Sequence, residues 1–354
     1  MINLGQFDHI NQMITLSVIT LSGFHCLLKI VLLAISICFY VFRYIDNVEV
    51  FCPDDACSNA PFASLPFGLI GSVSAFSNAV AFICGGSKTI YADCDAKVSG
   101  NLCSRNAECI TTAGGTLWCT GPKQSSCYVY DRYLTRNWVK SAVSLITPRA
   151  FAASVLLPDG RVWVLGGAGP TDVLQTSEYV SVTESGISKI TLGPNLQEPL
   201  MGHCAALVSA SQIMVIGGFS TVTNDFSPTA RIFDLTTEQW STNAMTTIGG
   251  RMDSACLNVN IDGKQKVLMV GGWNNLALTD TAVYSTDNKR WMFFNGTGNA
   301  LAPLTMPLRS SVLIERNQTS ILLGGVTCNS EGSSCWQTNK SETLKLKLFN
   351  NSSN

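Results

Sequence analysis

An apolar, strand-like run ending in a Gly-Gly pair recurs five times, and this repeat constrains the chain more than any other feature. The runs are Ala81–Gly86 (AFICGG), Val162–Gly167 (VWVLGG), Ile213–Gly218 (IMVIGG), Val267–Gly272 (VLMVGG) and Ser320–Gly325 (SILLGG). Gly85, Gly166, Gly217, Gly271 and Gly324 open the pairs, so the steps are 81, 51, 54 and 53 residues. A period near 50 built from strand-like units points to a propeller of small radial sheets, not to a helical solenoid.

Each unit carries further marks. A second apolar run precedes the glycine pair, often introduced by arginine: Arg149-AFAASVLL, Arg251-MDSACLNVN and Arg309-SSVLI. After the pair come a polar loop and a short strand with an aromatic near its end: Tyr130 in YVYD, Phe233 in RIFD and Tyr284 in AVYS. Seven or eight residues later stands a tryptophan: Trp138, Trp240 and Trp291. That makes four strands per unit. Each small sheet has two apolar faces that its neighbours must cover. Glycine lets backbones approach where blades meet, and the outer tryptophan fills the space between them. The second unit (Ser177–Leu192) has Tyr179 but no tryptophan, and the third opens with Leu200-Met201 in place of arginine.

These residues resemble the kelch repeat from about Asn47 to the C-terminus. The resemblance implies an all-β propeller over residues 46–354, with about five four-stranded blades where six or seven is usual for the family. Kelch propellers close by combining strands from both termini. The half-unit that opens at Asn47, with Phe51 in the aromatic position, is therefore expected to complete the blade begun by Arg309–Gly325. Thr343–Phe349 would be its third strand or a surplus one. A chain that is a piece of a larger kelch protein is the alternative.

The 81-residue step contains an insertion, 87–126, with Cys94, Cys103, Cys109 and Cys119. The stretch Asn101-LCSRNAECITTAGGTLWCTG is similar to the middle of an EGF-like module, although Gly121 stands where a further cysteine is expected. Cys84 is expected to pair with Cys127 across neighbouring strands. Connectivity among the four insertion cysteines has three possibilities. Cys204 and Cys256 hold equivalent inner-strand positions in consecutive units, and buried thiols are preferred there over a bond.

Cysteine use and the N-terminus both point outside the cytosol. Residues 1–45 read as an apolar helix, a cleaved signal or an uncleaved signal-anchor. Ile30–Phe42 (IVLLAISICFYVF) has signal-core length, and the segment from Met13 is long enough to span a bilayer if His25 and Lys29 are tolerated. Cys52/Cys57 and Cys328/Cys335 flank short loops in the manner of stapled hairpin tips. Zinc would want paired C-x-x-C or Cys/His knuckles, and the sequence has none. Sequons at Asn295, Asn317, Asn339, Asn350 and Asn351 agree with export.

Catalytic chemistry finds little to work with. Secreted copper-radical oxidases resembling galactose oxidase use a kelch-like propeller, but their site needs two imidazoles. Beyond the apolar segment this chain holds one histidine, His203, which reads as a polar lining residue near the central channel. Ser285–Trp291 falls one residue short of an Asp-box and lacks its glycine. Asp54-Asp55 and Asp93/Asp95 form no ladder of calcium ligands, and no G-x-S-x-G elbow is present. With 23 Lys+Arg against 24 Asp+Glu, a nucleic-acid binder is excluded, and 46% hydrophobic residues exclude disorder.

The expectation is an extracellular binding platform without catalysis, cofactor or resident metal, whose partner is a protein or a glycan and whose only membrane contact is the N-terminal segment. Loops after the glycine pairs would carry the contacts. Trp118 in the insertion and Trp273 and Trp336 in those loops are the candidate anchors, with local blade packing as the other reading of Trp273, Trp336 and Phe219.

Overall fold

The computed structural model describes residues 69–88, 122–131, 137–294 and 303–316, except 79, 248 and 262, together with nine further strands named in this section. Five antiparallel sheets follow one another along the chain. Blade 1 consists of Val73–Ser77, Val80–Cys84, Cys127–Asp131 and Asn137–Lys140. Blade 2 consists of Ala153–Leu156, Val162–Leu165, Ser177–Thr183 and Gly186–Gly193. Blade 3 has Cys204–Ser209, Gln212–Ile216, Thr229–Asp234 and an outer position shared by Gln239–Trp240 and Met245–Thr246, both paired with the third strand. Blade 4 has Ala255–Ile261, Lys264–Val270, Thr281–Ser285 and Arg290–Phe294. Blade 5 shows three strands, Val312–Arg316, Thr319–Leu323 and Ser341–Lys345, so the C-terminal run supplies its third strand. A hairpin of Val326–Cys328 and Cys335–Gln337 lies between the last two.

In every blade the chain moves outward by one strand at each turn. The first strands of blades 1 to 5 contact one another in succession, which places them on the inside of the ring. A separate apolar core fills each joint. Val73, Phe82, Val162 and Val180 lie between blades 1 and 2, and Leu165, Ile213 and Phe233 between blades 2 and 3. Met214, Val267 and Tyr284 fill the third joint, and Val270, Val283 and Leu313 the fourth. The two-faced apolar sheets of the repeat are thus covered as their sequence requires.

The missing tryptophan of the second unit has a substitute. Trp163, from the strand that ends in Gly166-Gly167, is fully buried. Its ring packs on Tyr179, Phe233 and Trp240 at centroid distances of 5.5, 4.9 and 6.2 Å. Its indole N–H donates to the Ser177 hydroxyl at 2.7 Å. One large aromatic therefore reaches the blade 2–3 joint from a different strand.

Two expectations at the N-terminus are corrected. Where an apolar helix was expected, Ile14–Thr15 and Lys29–Leu32 are antiparallel strands. A short apolar run rich in β-branched residues suits either state, and periodicity does not separate them. Glu49–Phe51 does not join blade 5 but pairs with Lys29–Leu32, making a three-stranded sheet whose first strand touches the inner strand of blade 5. Leu69–Ile70 pairs with Ser87–Lys88 on either side of the first two strands of blade 1, and Glu108–Thr111 forms a hairpin with Leu117–Thr120 within the insertion, where Cys109 faces Cys119.

Candidate interaction face

Each glycine pair works at a joint. Gly86, Gly167, Gly218 and Gly272 donate their N–H to the carbonyls of Arg149, Leu200, Arg251 and Leu308 in the following blade, at 2.8 Å each. The first glycine of the pair faces that same oxygen. A Cβ at Gly85, Gly166 or Gly217 would lie 2.6 Å from it, and one at Gly271 would collide with Leu308 O. All eight glycines have positive φ, a conformation that L side chains rarely adopt. Gly324 and Gly325 lie outside the described residues.

The segment leading into each inner strand forms a second circuit. Gly71, Phe151, Gly202, Asp253 and Ser310 stand two residues before their inner strands, and all have φ between 50° and 64°. Phe151 N–H donates to Gly71 O, Gly202 to Phe151, Asp253 to Gly202 and Ser310 to Asp253, at 2.7 to 2.9 Å. The result is a blade-to-blade chain of backbone hydrogen bonds at the end of the propeller where the glycine pairs lie. Sequence reasoning missed this chain. Gly71 and Gly202 were its visible signals, but Phe151 and Ser310 carry none.

The arginines that introduce the units are structural. Arg149 is buried and donates to the carbonyls of Gly166 and Thr176 at 2.7 and 2.9 Å. It also pairs with the buried carboxylate of Glu178 at 2.7 Å. Glu178 in turn accepts the amides of Ile146 and Thr147. Arg251 repeats the scheme with Gly271 O and Asp280. Arg309 departs from it: Leu308 accepts the joint hydrogen bond, so Arg309 stands one position later. Its guanidinium lies 4.2 Å above the ring of Trp273, and burial pulls its pKa down to about 10.

The loops after the glycine pairs are tied to the same circuit. Ala168 bridges Ala150 and Val173, Phe219 pairs with Met201 and Phe226, and Trp273 bridges Met252 and Ala277. Their apolar members make one cluster with Cys328. Trp273 is 6% exposed and Phe219 1%, so both pack the blades and Trp273 is no exposed anchor. What these loops do expose is Val222, at 70%, and Leu276, at 41%. Trp118 and Trp336 lie on strands whose side chains are outside the described residues. So are Cys52, Cys57, Cys94, Cys103, Asn295, Asn317, Asn339, Asn350 and Asn351.

His203 lies between blades 2 and 3, with its Cβ close to Gly218 and its ring close to Gly166. Neither ring nitrogen makes a well-formed hydrogen bond, and the nearby Leu200 backbone favours the protonated ring only weakly. Burial, with the nearby Arg149 charge, lowers its pKa from 6.5 to about 4. It is a buried neutral imidazole, not a channel-lining one. Among the described residues no group of three or more His, Cys, Asp or Glu is arranged to hold a metal ion.

Cysteines also bear on this face. Cys84 is bonded to Cys127 across adjacent strands of blade 1. Cys204 and Cys256, expected as thiols, are bonded between the inner strands of blades 3 and 4, with Cα atoms 6.1 Å apart. The reason is positional: the inner strands of consecutive blades are neighbours around the ring, and Cys256 stands one residue beyond Ala255, the counterpart of Cys204. Cys328 is also disulfide-bonded, and Cys335 is the residue facing it across the hairpin.

The sequence matches the KLHDC2/KLHL20/DRC7 kelch-repeats domain over residues 101–325. This chain belongs to the kelch-repeat family. It is 26% identical over 161 residues to alpha-scruin of Limulus polyphemus, covering 45% of this chain and 15% of that protein. It is 29% identical over 132 residues to an F-box/kelch-repeat protein of Arabidopsis thaliana, covering 36% of each. The similarity thus spans well under half of these curated relatives. The solved structure of YjhT superposes with a TM-score of 0.57 at 11% identity, covering 90% of both chains, which shows the fold. Kelch-repeat proteins generally mediate protein interactions, and a propeller gathers loops from several blades on a rigid support. The partial EGF-like likeness of the insertion finds no counterpart in these similarities.

Proposed function

We propose that this kelch-repeat protein is an extracellular interaction propeller without catalytic activity, and that it binds a protein partner through the face carrying the glycine-pair loops. One observation carries the reading: consecutive loops are pinned to the blade-to-blade backbone circuit and expose Val222 and Leu276 at their tips. A rigid base with apolar tips suits association, since little chain entropy is lost on binding. Bonded Cys84–Cys127 and Cys204–Cys256 favour an oxidising compartment. The downstream imidazole, His203, is packed between blades, where it meets no substrate.

Proximity labelling on the surface of expressing cells, with wild type beside V222D/L276D, tests the reading. Partners enriched by wild type and lost by a folded V222D/L276D variant are expected. Equal enrichment by both would remove the loop face from the function. Sensitivity of the secreted chain to an N-glycan-removing enzyme is expected at the sequons, and a cytosolic, unglycosylated product would overturn the compartment.

A further inference from the structure

We infer that the loop face receives a cationic segment of its partner, a stretch bearing lysine or arginine side chains; this rests on the reading of that face as the interaction surface. Loops 168–176, 219–229 and 273–281 belong to three consecutive blades, and they hold Asp172, Asp225 and Asp280 with no lysine or arginine. Asp172 and Asp225 are exposed. The Asp280 side chain is 49% exposed, although Arg251 reaches one of its oxygens. Glu198, in the segment leading into blade 3, is partly exposed and accepts the Ser220 hydroxyl.

The arginines at this end point inward. The side chains of Arg149 and Arg251 are 0% and 4% exposed, and Arg309 is fully buried. They support the blades and do not neutralise the loop tips. The opposite end of the ring offers both signs: Lys264, Lys289 and Arg290 lie in or beside hairpin turns, and the turns at that end also expose Asp159, Glu184, Glu238 and Asp287, with Arg161 paired to Asp159 and Lys264 to Asp287. Lys140, also exposed, stands at the glycine-pair end of the outermost strand of blade 1, away from the three loops of blades 2 to 4. The three loops are thus one-signed, whereas the opposite end is mixed.

A second observation comes from the backbone circuit around the axis. Asp253 carries the one ionisable side chain among its five members, beside the bare Cα of Gly202. Arg309 and Ser310 both act on this carboxylate, yet its buried Oδ2 meets no donor. An ammonium or guanidinium group brought down between the loops would supply that donor, while Asp172 and Asp225 attract the segment and Val222 and Leu276 give it apolar contact. Charge complementarity of this kind steers encounter and selects partners, and it weakens with salt.

The test uses fluorescein-labelled decalysine and decaglutamate with the full chain, read by fluorescence anisotropy at low and at physiological salt. Decalysine is expected to bind with salt-dependent affinity, and decaglutamate not to bind. D172N/D225N keeps the local hydrogen bonds and should weaken decalysine by about three- to tenfold, the range for two solvent-exposed charge pairs. D172S/D225S, a second pair with a different side chain, should show the same loss. D253N should weaken binding further, and K264E/K289E at the opposite end should leave it unchanged. Failure of decalysine to bind, or equal binding to wild type and D172N/D225N, overturns the inference. If V222D/L276D still loses its labelled partners in that case, the interaction face stands and only the cationic character of the partner falls.

Discussion

The amide of Gly218 donates to the carbonyl oxygen of Arg251 at 2.8 Å, and the same oxygen lies 2.6 Å from the place a Cβ on Gly217 would take. One atom of the next blade thus demands two properties from two successive residues, an available N–H and an empty α-carbon. Both have positive φ, 62° and 95°. Gly217→Ala should therefore cost about 2–4 kcal/mol, about 1–2 for the left-handed backbone and the rest for displacing a neighbouring backbone. Gly263 supplies the control. Its φ is 78°, but nothing lies within 4 Å of its missing Cβ, so Gly263→Ala should cost only the backbone part. Urea melts of the two variants check this, and equal losses would dismiss the joint as the reason for the repeat.

Arg149 and Glu178 form a fully buried ion pair, each with further backbone partners. Glu178→Leu leaves the guanidinium charged and without a counter-ion, and takes the acceptor from two amides. A loss of about 3–5 kcal/mol is expected. Asp280→Leu breaks the corresponding pair in blade 4, where the carboxylate is 49% exposed, and should cost about 1 kcal/mol or less. A cost for Asp280→Leu as large as that for Glu178→Leu would show that burial does not govern these pairs.

The sequence was legible where a residue's chemistry and its spacing coincide. The glycine pairs, Phe233 with Trp240 and Tyr284 with Trp291 mark strands and joints because each demands a particular side chain at a particular step. Trp163 was hidden for the opposite reason. It replaces an outer-strand tryptophan from an inner position, and only the packing shows that two strands reach the same cavity. The ring from Gly71 to Ser310 is made of backbone groups, which leave little trace in side-chain identity; Phe151 and Asp253 adopt the left-handed conformation that glycine adopts elsewhere. In the N-terminal run apolar length is the one signal, which suits a helix as well as a strand, and Lys29–Leu32 is a strand. Trp273 stood out as a large aromatic in a polar loop, yet Arg309 from the next blade covers it. Contacts between blades, some 50 residues apart, decide such cases.

Cys204 and Cys256 close a loop of 52 residues between neighbouring inner strands. By the chain-entropy account, such a crosslink stabilises by about 2–4 kcal/mol through the unfolded state. Cys204→Ala with Cys256→Ala should lower the urea midpoint accordingly, and neither single variant should recover the loss. Peptide mapping without reductant should find residues 204 and 256 in one linked fragment. Two free thiols there would restore the buried-cysteine reading and remove the predicted stabilisation.

His203 gives the fold a particular response to acid. Its pKa falls from 6.5 to about 4 because the buried ring is cut off from water and lies near the Arg149 charge. Above pH 6.5 the imidazole is neutral in both the folded and the unfolded chain, so it adds no pH dependence. Between about 6.5 and 4 the unfolded chain binds a proton that the folded chain refuses, and stability falls with pH. Below about 4 both forms are protonated and this contribution is constant. The full penalty is on the order of 3 kcal/mol. His203→Ala is a mild replacement, since Ala152 holds the corresponding position one residue before the inner strand of blade 2. Burial raises the pKa of Asp253, which adds its own pH dependence, so the quantity to measure is the difference between wild type and His203→Ala at each pH. That difference should grow in the variant's favour as pH drops from 6.5 to 4 and stay flat above 7. A difference that does not change with pH would place His203 in contact with water or a partner that accepts its proton.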